Sequence, residues 1–385
     1  MLSEVEQQLI EAHLGDDPVQ VALRTGNRLV AQQVGVLAKA RLKLPTFYEA
    51  RCFILPISYQ QSTSEVVASS RRFSRGRLAL DLTCGLGADC YYLSRSFDRV
   101  ITCEIDPHRA EIARYNFSKL GAENIEVRCC SAEELLDSLQ RERVDMIFCD
   151  PARRDQGGGK RHALEDCSPN ILEILPLMRR ISRRISIKLS PLFDVDELFR
   201  LFGEQIMVEV VSLRNECKEV VLHLGDDLSL GHIAHTIIGG DGLPRRLMFD
   251  RSLPSDPSLL CAVEQCQWLY QADVALIKSR STDRYMRDYY PDQRYLNCGF
   301  VLSPQELVGF VGSQHRISSI EDYKPKVLRK VLKSCGISSA TIHLKGFPYP
   351  LEQIKKQLAV NEGAECNLFC FKDNQGNPKV AISRS

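Results

Sequence analysis

The sequence predicts an α/β chain built on a mostly parallel sheet, with a ligand site at the carboxyl ends of the strands. Three observations point there. Five short β-prone runs alternate with helical patterns between Leu78 and Leu189, the order that builds a parallel sheet. The first run ends in Asp81-Leu82-Thr83-Cys84-Gly85-Leu86-Gly87, an acid and a glycine turn whose backbone can approach a ligand because glycine has no Cβ. The second ends in Glu104, 23 positions after Asp81, where α/β nucleotide folds place the carboxylate that grips ribose hydroxyls.

Taken in order, Leu78-Ala79-Leu80 is the first strand and Cys90-Tyr91-Tyr92-Leu93 the start of its helix. Arg99–Cys103 is the second strand. His108–Leu120 is a helix stopped by Gly121, with Ile112, Tyr115 and Leu120 on its apolar face. Ile125–Cys129 is the third strand, followed by Ser131-Ala132-Glu133. Val144–Cys149 is the fourth, ending in Asp150-Pro151-Ala152-Arg153-Arg154. Ile185–Leu189, which contains Lys188, is the fifth and ends in Ser190-Pro191. Residues 206–224 are two β-rich runs around Asn215–Glu219, a hairpin pattern.

The flanks read differently. Residues 1–65 are helical: Leu2, Val5, Leu9 and Ile10 share one face, Val30, Val34, Leu37 and Ala38 another, and Leu44-Pro45 breaks the pattern. Ser62 or Ser64 could cap a helix entering residues 66–72, and Ser62-x-x-Glu65 has the spacing of a capping box. Residues 226–315 mix short elements and predict a small α+β module. From Lys324 a helix carrying Val327, Val331 and Leu332 leads to a strand at Ala340–Leu344. A helix through Leu358 and two strands joined by Asp373–Asn377 follow. The expected divisions are 1–65, 66–225, 226–315 and 316–385.

The chain has 385 residues, with 50 Lys and Arg against 49 Asp and Glu. That balance hides a basic end, because residues 316–385 hold 12 Lys and Arg against 6 Asp and Glu. No apolar run approaches the roughly 20 residues of a membrane helix, and the first residues lack a basic-then-apolar leader. The 15 cysteines are scattered, as free thiols of a reducing compartment are, so a cytoplasmic location is expected. Cys129-Cys130 and Cys366/Cys370 are the close pairs, and neither has the partners of a zinc or iron–sulfur site. No metal is expected.

The motifs together resemble a known family. Asp81 to Gly87 in the spacing D-x-x-x-G-x-G looks like motif I of class I S-adenosylmethionine (SAM) methyltransferases. Ser62–Glu65, Asp81–Asp89, Asp150–Asp155, Asp166–Pro169, Lys188–Pro191 and Asn215–Glu219 resemble a bacterial group of these enzymes with a THUMP-like C-terminal domain. Trimethylguanosine synthase and other RNA base methyltransferases are more distantly similar, and Ser64-Glu65-Val66-Val67-Ala68 echoes their segment ahead of motif I. The resemblance implies a Rossmann-like, mostly parallel seven-stranded sheet finished by the hairpin over 206–224. It also implies ferredoxin-like and THUMP-like C-terminal modules, SAM as cofactor and RNA as partner.

The same resemblance distributes roles. Asp81, Thr83, Gly85, Gly87 and Asp89 would hold the methionine end of SAM, with Asp81 facing its ammonium. Glu104 and Ile105 would take the ribose side, and Ser131-Ala132 the adenine, with Ser131 where the family has Asp and Glu133 as a substitute. Ser64 and Glu65 would contact the substrate, in a segment that closes over the methionine end of SAM. Asp150, also at the cofactor, Pro151 and Arg153 would carry the chemistry, because amino-group methyltransferases use Asp/Asn-Pro-Pro-aromatic at this strand end. Here Ala152 and Arg153 replace the second proline and the aromatic. Uracil-C5 enzymes need a cysteine nucleophile just after the motif IV prolines or on the fifth strand, where this chain has Ala152 and Ser190.

Asp150-Pro151 also fits a plain turn opener, and Cys167 an unreactive thiol. Arg153 and Arg154, with Lys160 and Arg161 around Gly157–Gly159, fit either RNA phosphates or a solvated loop. Lys188 and Ser190 line the acceptor side. The main alternatives are a non-catalytic, SAM-sensing nucleic-acid-binding protein and a methyltransferase of a protein or small molecule.

Overall fold

The computed structural model describes residues 2–153, 164–225, 228–253 and 261–384. The chain divides into two compact units, Met1–Met248 and Phe249–Ser385.

The first unit opens with six helices: α1 (Glu4–Ala12), α2 (Pro18–Thr25), α3 (Arg28–Lys43), α4 (Pro45–Glu49), α5 (Pro56–Gln61) and α6 (Glu65–Ser70). Local signals set their ends. Ser3 and Glu6 form a capping box on α1, Asp17 and Asn27 cap α2 and α3, and Pro45 starts α4 at the expected break. Val30, Val34 and Leu37 are buried and join Ile10 and Phe47 in one core with Ala79, Tyr91 and Phe117 of the following α/β layer. Asn116 seals this junction, its amide exchanging bonds of 2.8 and 2.9 Å with the backbone of Phe53.

The α/β layer runs β1 (Gly76–Asp81), α7 (Ala88–Ser94), β2 (Phe97–Cys103), α8 (Pro107–Lys119), β3 (Ile125–Arg128), α9 (Ala132–Ser138) and β4 (Met146–Cys149). Two-residue strands β5 (Ala152–Arg153) and β6 (Cys167–Ser168) follow, then α10 (Ile171–Ile181), β7 (Ile185–Leu189), α11 (Val195–Phe202), β8 (Met207–Leu213) and β9 (Glu216–Leu224). The sheet order from the far edge is β3-β2-β1-β4-β7-β9-β8. Its first five strands are parallel, and β9 is antiparallel to β7 and β8. Positive φ at Arg214 (52°) and Asn215 (61°) makes the two-residue turn between β8 and β9, as primed hairpin turns require.

Two further strands, β10 (His232–Ile238) and β11 (Pro244–Asp250), extend this sheet to nine. Residues 232–250 therefore do not belong to the separate α+β module expected over 226–315. β10 lies parallel to β8 and buries Ile233, Ile237 and Ile238, a half-apolar pattern that fits either setting by sequence alone. On α8 the buried residues are Ala110, Ile112, Ala113, Asn116 and Phe117; Leu120 is partly buried and packs against this core, while Tyr115 is partly exposed.

In the second unit β12 (Trp268–Ala272), α12 (Val274–Lys278), α13 (Thr282–Tyr289), β13 (Leu296–Asn297), β14 (Val301–Ser303) and β15 (Gly312–Arg316) form a four-stranded sheet ordered β13-β14-β12-β15 with its helices. A second sheet, β16-β19-β18-β17, comprises β16 (Ser319–Asp322), β17 (Ser339–Leu344), β18 (Asn361–Lys372) and β19 (Pro378–Arg384). It carries α14 (Pro325–Ser334) and α15 (Leu351–Leu358). One face packs on Leu328, Leu332, Ile354 and Leu358. The other, through Phe369, Phe371 and Ala381, packs on Leu269, Phe300 and Leu302. Leu328 points inward in place of Val327, which is exposed.

Candidate active site

The site forms where β1, β2, β4 and β7 end together. Asp81, the last residue of β1, is only 1 % exposed. Its Oδ2 accepts the Thr102 hydroxyl at 2.9 Å and its Oδ1 the Thr83 amide at 3.2 Å. Burial pushes its pKa up to about 7 against those hydrogen bonds. The carboxylate uses one acceptor site on each oxygen to hold the glycine loop against β2.

The two glycines divide their work. Gly85 has φ +54°, and a Cβ there would meet nothing within 4 Å, so it presents open backbone. Gly87 has φ +92°, and its Cβ would lie 2.5 Å from the Phe117 ring. Gly87 is small to let α7 pack on α8, and Gly85 is the position of close approach. Thr83 joins the loop to β4, its hydroxyl accepting the Asp150 amide at 2.7 Å.

At the end of β2, Glu104 Oε1 accepts the Asp106 amide at 3.0 Å and pairs with Arg109 at 3.0 Å. Oε2 has no partner among the described residues. Ile105 beside it is 68 % exposed, an apolar side chain standing at the rim. Ser131 caps α9 through a capping box with Glu134, so its oxygen already accepts a backbone N–H. Ala132 is buried and Glu133 exposed.

Across the strand ends lies a network of five charged side chains. Lys188 on β7 pairs with Asp150, donates to the Thr63 hydroxyl at 2.7 Å and lies 3.6 Å from Asp89. Asp89 on α7 accepts Thr63 at 2.7 Å and Arg71 at 2.8 Å. Arg71 also pairs with Glu219 of β9 and lies over the Phe148 ring. Burial alone would raise Asp89, but Arg71 and Lys188 outweigh it and hold the carboxyl down at about 2. Burial raises Asp150, with Lys188 opposing. Burial would lower Lys188, but Asp150 and Asp89 raise it above the ordinary lysine range.

Two expected assignments change. Glu65 is 3 % exposed and faces inward, accepting the Phe47 amide at 3.2 Å and the Tyr92 hydroxyl at 2.9 Å, so it does not face a substrate. The capping box with Ser62 does not form. Ser64 is the N-cap of α6 without a side-chain bond, and Ser62 donates to the Tyr59 carbonyl instead. Pro151 and Ser190 lie at the ends of β4 and β7, and the Ser190 hydroxyl accepts the Leu192 amide at 3.2 Å. Arg153 enters β5, paired with Cys167 of β6. Arg154, Lys160, Arg161 and Gly157–Gly159 lie outside the described residues.

Thr63, Arg71 and Glu219 were not among the sequence-derived site residues. Glu219 left a signal, a charge directly before the apolar run Val220–Leu222. Arg71-Arg72 is indistinguishable by sequence from an ordinary basic surface. All fifteen cysteines are free thiols, and burial pushes Cys149 well above the usual range. No group of possible metal ligands occurs among the described residues.

A parallel sheet in this order, with an open glycine loop after β1 and a carboxylate after β2, defines the class I methyltransferase fold. A family model described as a methyltransferase domain matches residues 74–224, and one described as THUMP domain-like matches residues 312–384. The chain carries a class I SAM-dependent methyltransferase domain followed by a THUMP-like domain, and SAM is its cofactor. Two Mycobacterium tuberculosis proteins, both described as uncharacterized S-adenosylmethionine-dependent methyltransferases, are 28% identical over 309 residues, covering 78% of this chain and 78% of each relative. A tRNA/tmRNA (uracil-C(5))-methyltransferase of Shewanella piezotolerans is 28% identical over 137 residues, 30% of this chain and 37% of that protein. In fold, the chain is similar to a Porphyromonas gingivalis protein whose crystal structure was solved as a candidate methyltransferase. The TM-score is 0.80, with 21% identity, over 100% of this chain and 99% of the other.

Proposed function

We propose that this chain transfers the methyl group of SAM to a nitrogen of an RNA base presented at Asp150. The observation that carries this reading is the Asp150–Lys188 pair at the carboxyl ends of β4 and β7, beside the glycine loop. Lys188 takes Oδ2, Oδ1 has no partner among the described residues, and the Asp150 side chain is 33 % exposed. Lys188 favours the ionised carboxylate, opposing the desolvation that raises Asp150. An ionised carboxylate accepts a hydrogen bond from an amino or imino N–H and turns the nitrogen lone pair toward the methyl donor, and such orientation is the main service a displacement needs.

When bound, SAM supplies an electrophilic methyl on its sulfonium. The residues present fit it. Gly85 offers open backbone, Glu104 Oε2 is available to ribose hydroxyls, and Ile105 is exposed to cover one face of adenine. Ser131 and Ala132, at the start of α9, would flank the adenine. Arg71 and Lys188 against Asp89, Asp150 and Glu219 leave one net negative charge behind the loop, which favours a cationic ligand. Asp81 acts through the loop it holds. After transfer, Asp150 can accept the surplus proton of the acceptor nitrogen, directly or through water. Pro151, Ser64 and Ser190 would border the acceptor side.

RNA is supported by the THUMP-like match, by the basic C-terminal segment and by the tRNA/tmRNA methyltransferase relatives. Nitrogen is favoured over uracil C5 because Ala152 and Ser190 stand where those enzymes keep a nucleophile, and Cys149 and Cys167 are buried. The test is label transfer from methyl-tritiated SAM to RNA by wild type and Asp150→Ala, with SAM affinity measured in parallel. Asp150→Ala should lose about 10²–10⁴-fold in rate, the range for a general acid–base residue, and retain SAM binding. Equal rates would reject the assigned role.

A further inference from the structure

The amino-terminal edge of the sheet, opposite the methyl-transfer site, holds a cleft of about 900 Å³. It lies where β1, β4 and β7 begin, and its rim is arginine-rich. Arg75 and Arg77 come from the approach to β1, and Arg143 from the turn before β4. Arg179 and Arg180 sit on the last turn of α10, and Arg183 and Arg184 precede β7. Arg75, Arg143, Arg179 and Arg180 are exposed, and their guanidinium groups have no partner among the described residues. Among the described residues the nearby acids do not balance these four: Asp145 is committed to the backbone amides of Arg77 and Leu78 at 2.7 and 3.0 Å, and Glu142 pairs with Arg77 alone, at 4.0 Å.

A helix C-terminus attracts cations, which accounts for Arg179 and Arg180 but not for arginines converging from three other segments. So many like charges around one concavity repel one another, and a bound polyanion relieves that repulsion. Arginine presents a planar fork that matches phosphate oxygens. We propose that this cleft binds the phosphate backbone of an RNA strand, a contact separate from the site that holds the reacting base. It rests on RNA being the substrate.

The test uses the full chain with Arg143→Glu, Arg179→Glu and Arg180→Glu combined, and as a second variant the same three positions changed to Lys. The probes are a fluorescein-labelled oligouridylate and inorganic tripolyphosphate, each titrated across a KCl series. An unchanged melting temperature and SAM affinity establish that the variants are folded. Each lost phosphate contact lowers the log–log salt slope by about 0.7 for single strands, so the Glu variant should lose about 2 in slope and at least tenfold in affinity at low salt. The Lys variant should keep the slope. Equal affinity and slope in wild type and the Glu variant overturn the proposal while leaving RNA methylation standing. Binding of tripolyphosphate without oligouridylate overturns it in favour of a free polyphosphate. Failure of the wild type to bind either probe overturns it outright.

Discussion

At the residue scale the glycine loop gives the sharpest contrast. Gly85→Ala places a methyl in open space at φ +54° and costs about 1 kcal/mol of backbone strain, yet it obstructs the ligand's approach. Gly87→Ala forces a methyl into the Phe117 ring and costs about 2 kcal/mol or more through overpacking and strain together. Urea unfolding should rank Gly87→Ala below Gly85→Ala in stability. SAM calorimetry should place the larger loss per unit of remaining stability in Gly85→Ala. The reverse ranking would mean that the two roles are exchanged. The motif was legible in the sequence, but the division of labour was not, because it depends on which helix packs over which glycine.

Asp81 gives a pH prediction at the same scale. Its folded pKa of about 7 lies above the unfolded value of about 3.9. Between those values the unfolded chain has released a proton that the folded chain keeps, so this group's contribution to stability falls as pH rises from about 4 to 7. Asp81→Asn keeps an acceptor for Thr102 or Thr83 and removes the titration. Its stability relative to wild type should rise across that window in denaturant series and level off above pH 7. A constant difference at all pH values would show that Asp81 titrates normally.

At the scale of elements, the site is held by charges that tie α6, α7, β7 and β9 together. Arg71, just beyond α6, bridges Asp89 on α7 and Glu219 on β9, with its side chain 9 % exposed. Removing one member of a buried pair leaves an uncompensated charge and costs about 3–5 kcal/mol. Arg71→Met should therefore unfold at much lower urea, and adding Glu219→Gln should recover part of the loss. If the double variant is no better than Arg71→Met alone, the pair is not coupled. The strands and helices here were readable from apolar runs, glycines and prolines. The network was not, since its members lie up to 148 positions apart and each reads locally as surface charge. Glu65 failed in the opposite sense. Its spacing from Ser62 fits a cap, but the buried Phe47 amide needed its carboxylate more.

At the scale of the whole molecule, the sheet grew by two strands that the sequence assigned elsewhere, because β10 carries the same half-apolar pattern in either setting. The basic C-terminal segment is real, but its charges are not equal. Arg329 caps the end of α15 through the Gln357 carbonyl, and Lys355 pairs with Glu362 at 3.1 Å. Lys330, Lys333 and Lys356 are exposed and have no partner among the described residues. Cutting the chain near Ser313 would strip Phe369 and Phe371 from the core they share with Leu269 and Phe300, so substitution tests the segment better than truncation. Lys330, Lys333 and Lys356 changed together to Glu should lower the salt slope for RNA binding by about 2. An unchanged slope would leave the segment without a phosphate-binding role.

At Asp150 the methyl group of SAM should pass to an RNA base nitrogen. This is tested most directly by incubating the purified chain with methyl-tritiated SAM and total RNA from a strain lacking the gene, then digesting the RNA and resolving the labelled nucleosides. Label should appear in a single N-methylated nucleoside with the wild type and be almost absent with Asp150→Ala at matched SAM occupancy. Label on uracil C5, label in protein or small molecules instead of RNA, or undiminished transfer by Asp150→Ala would contradict it.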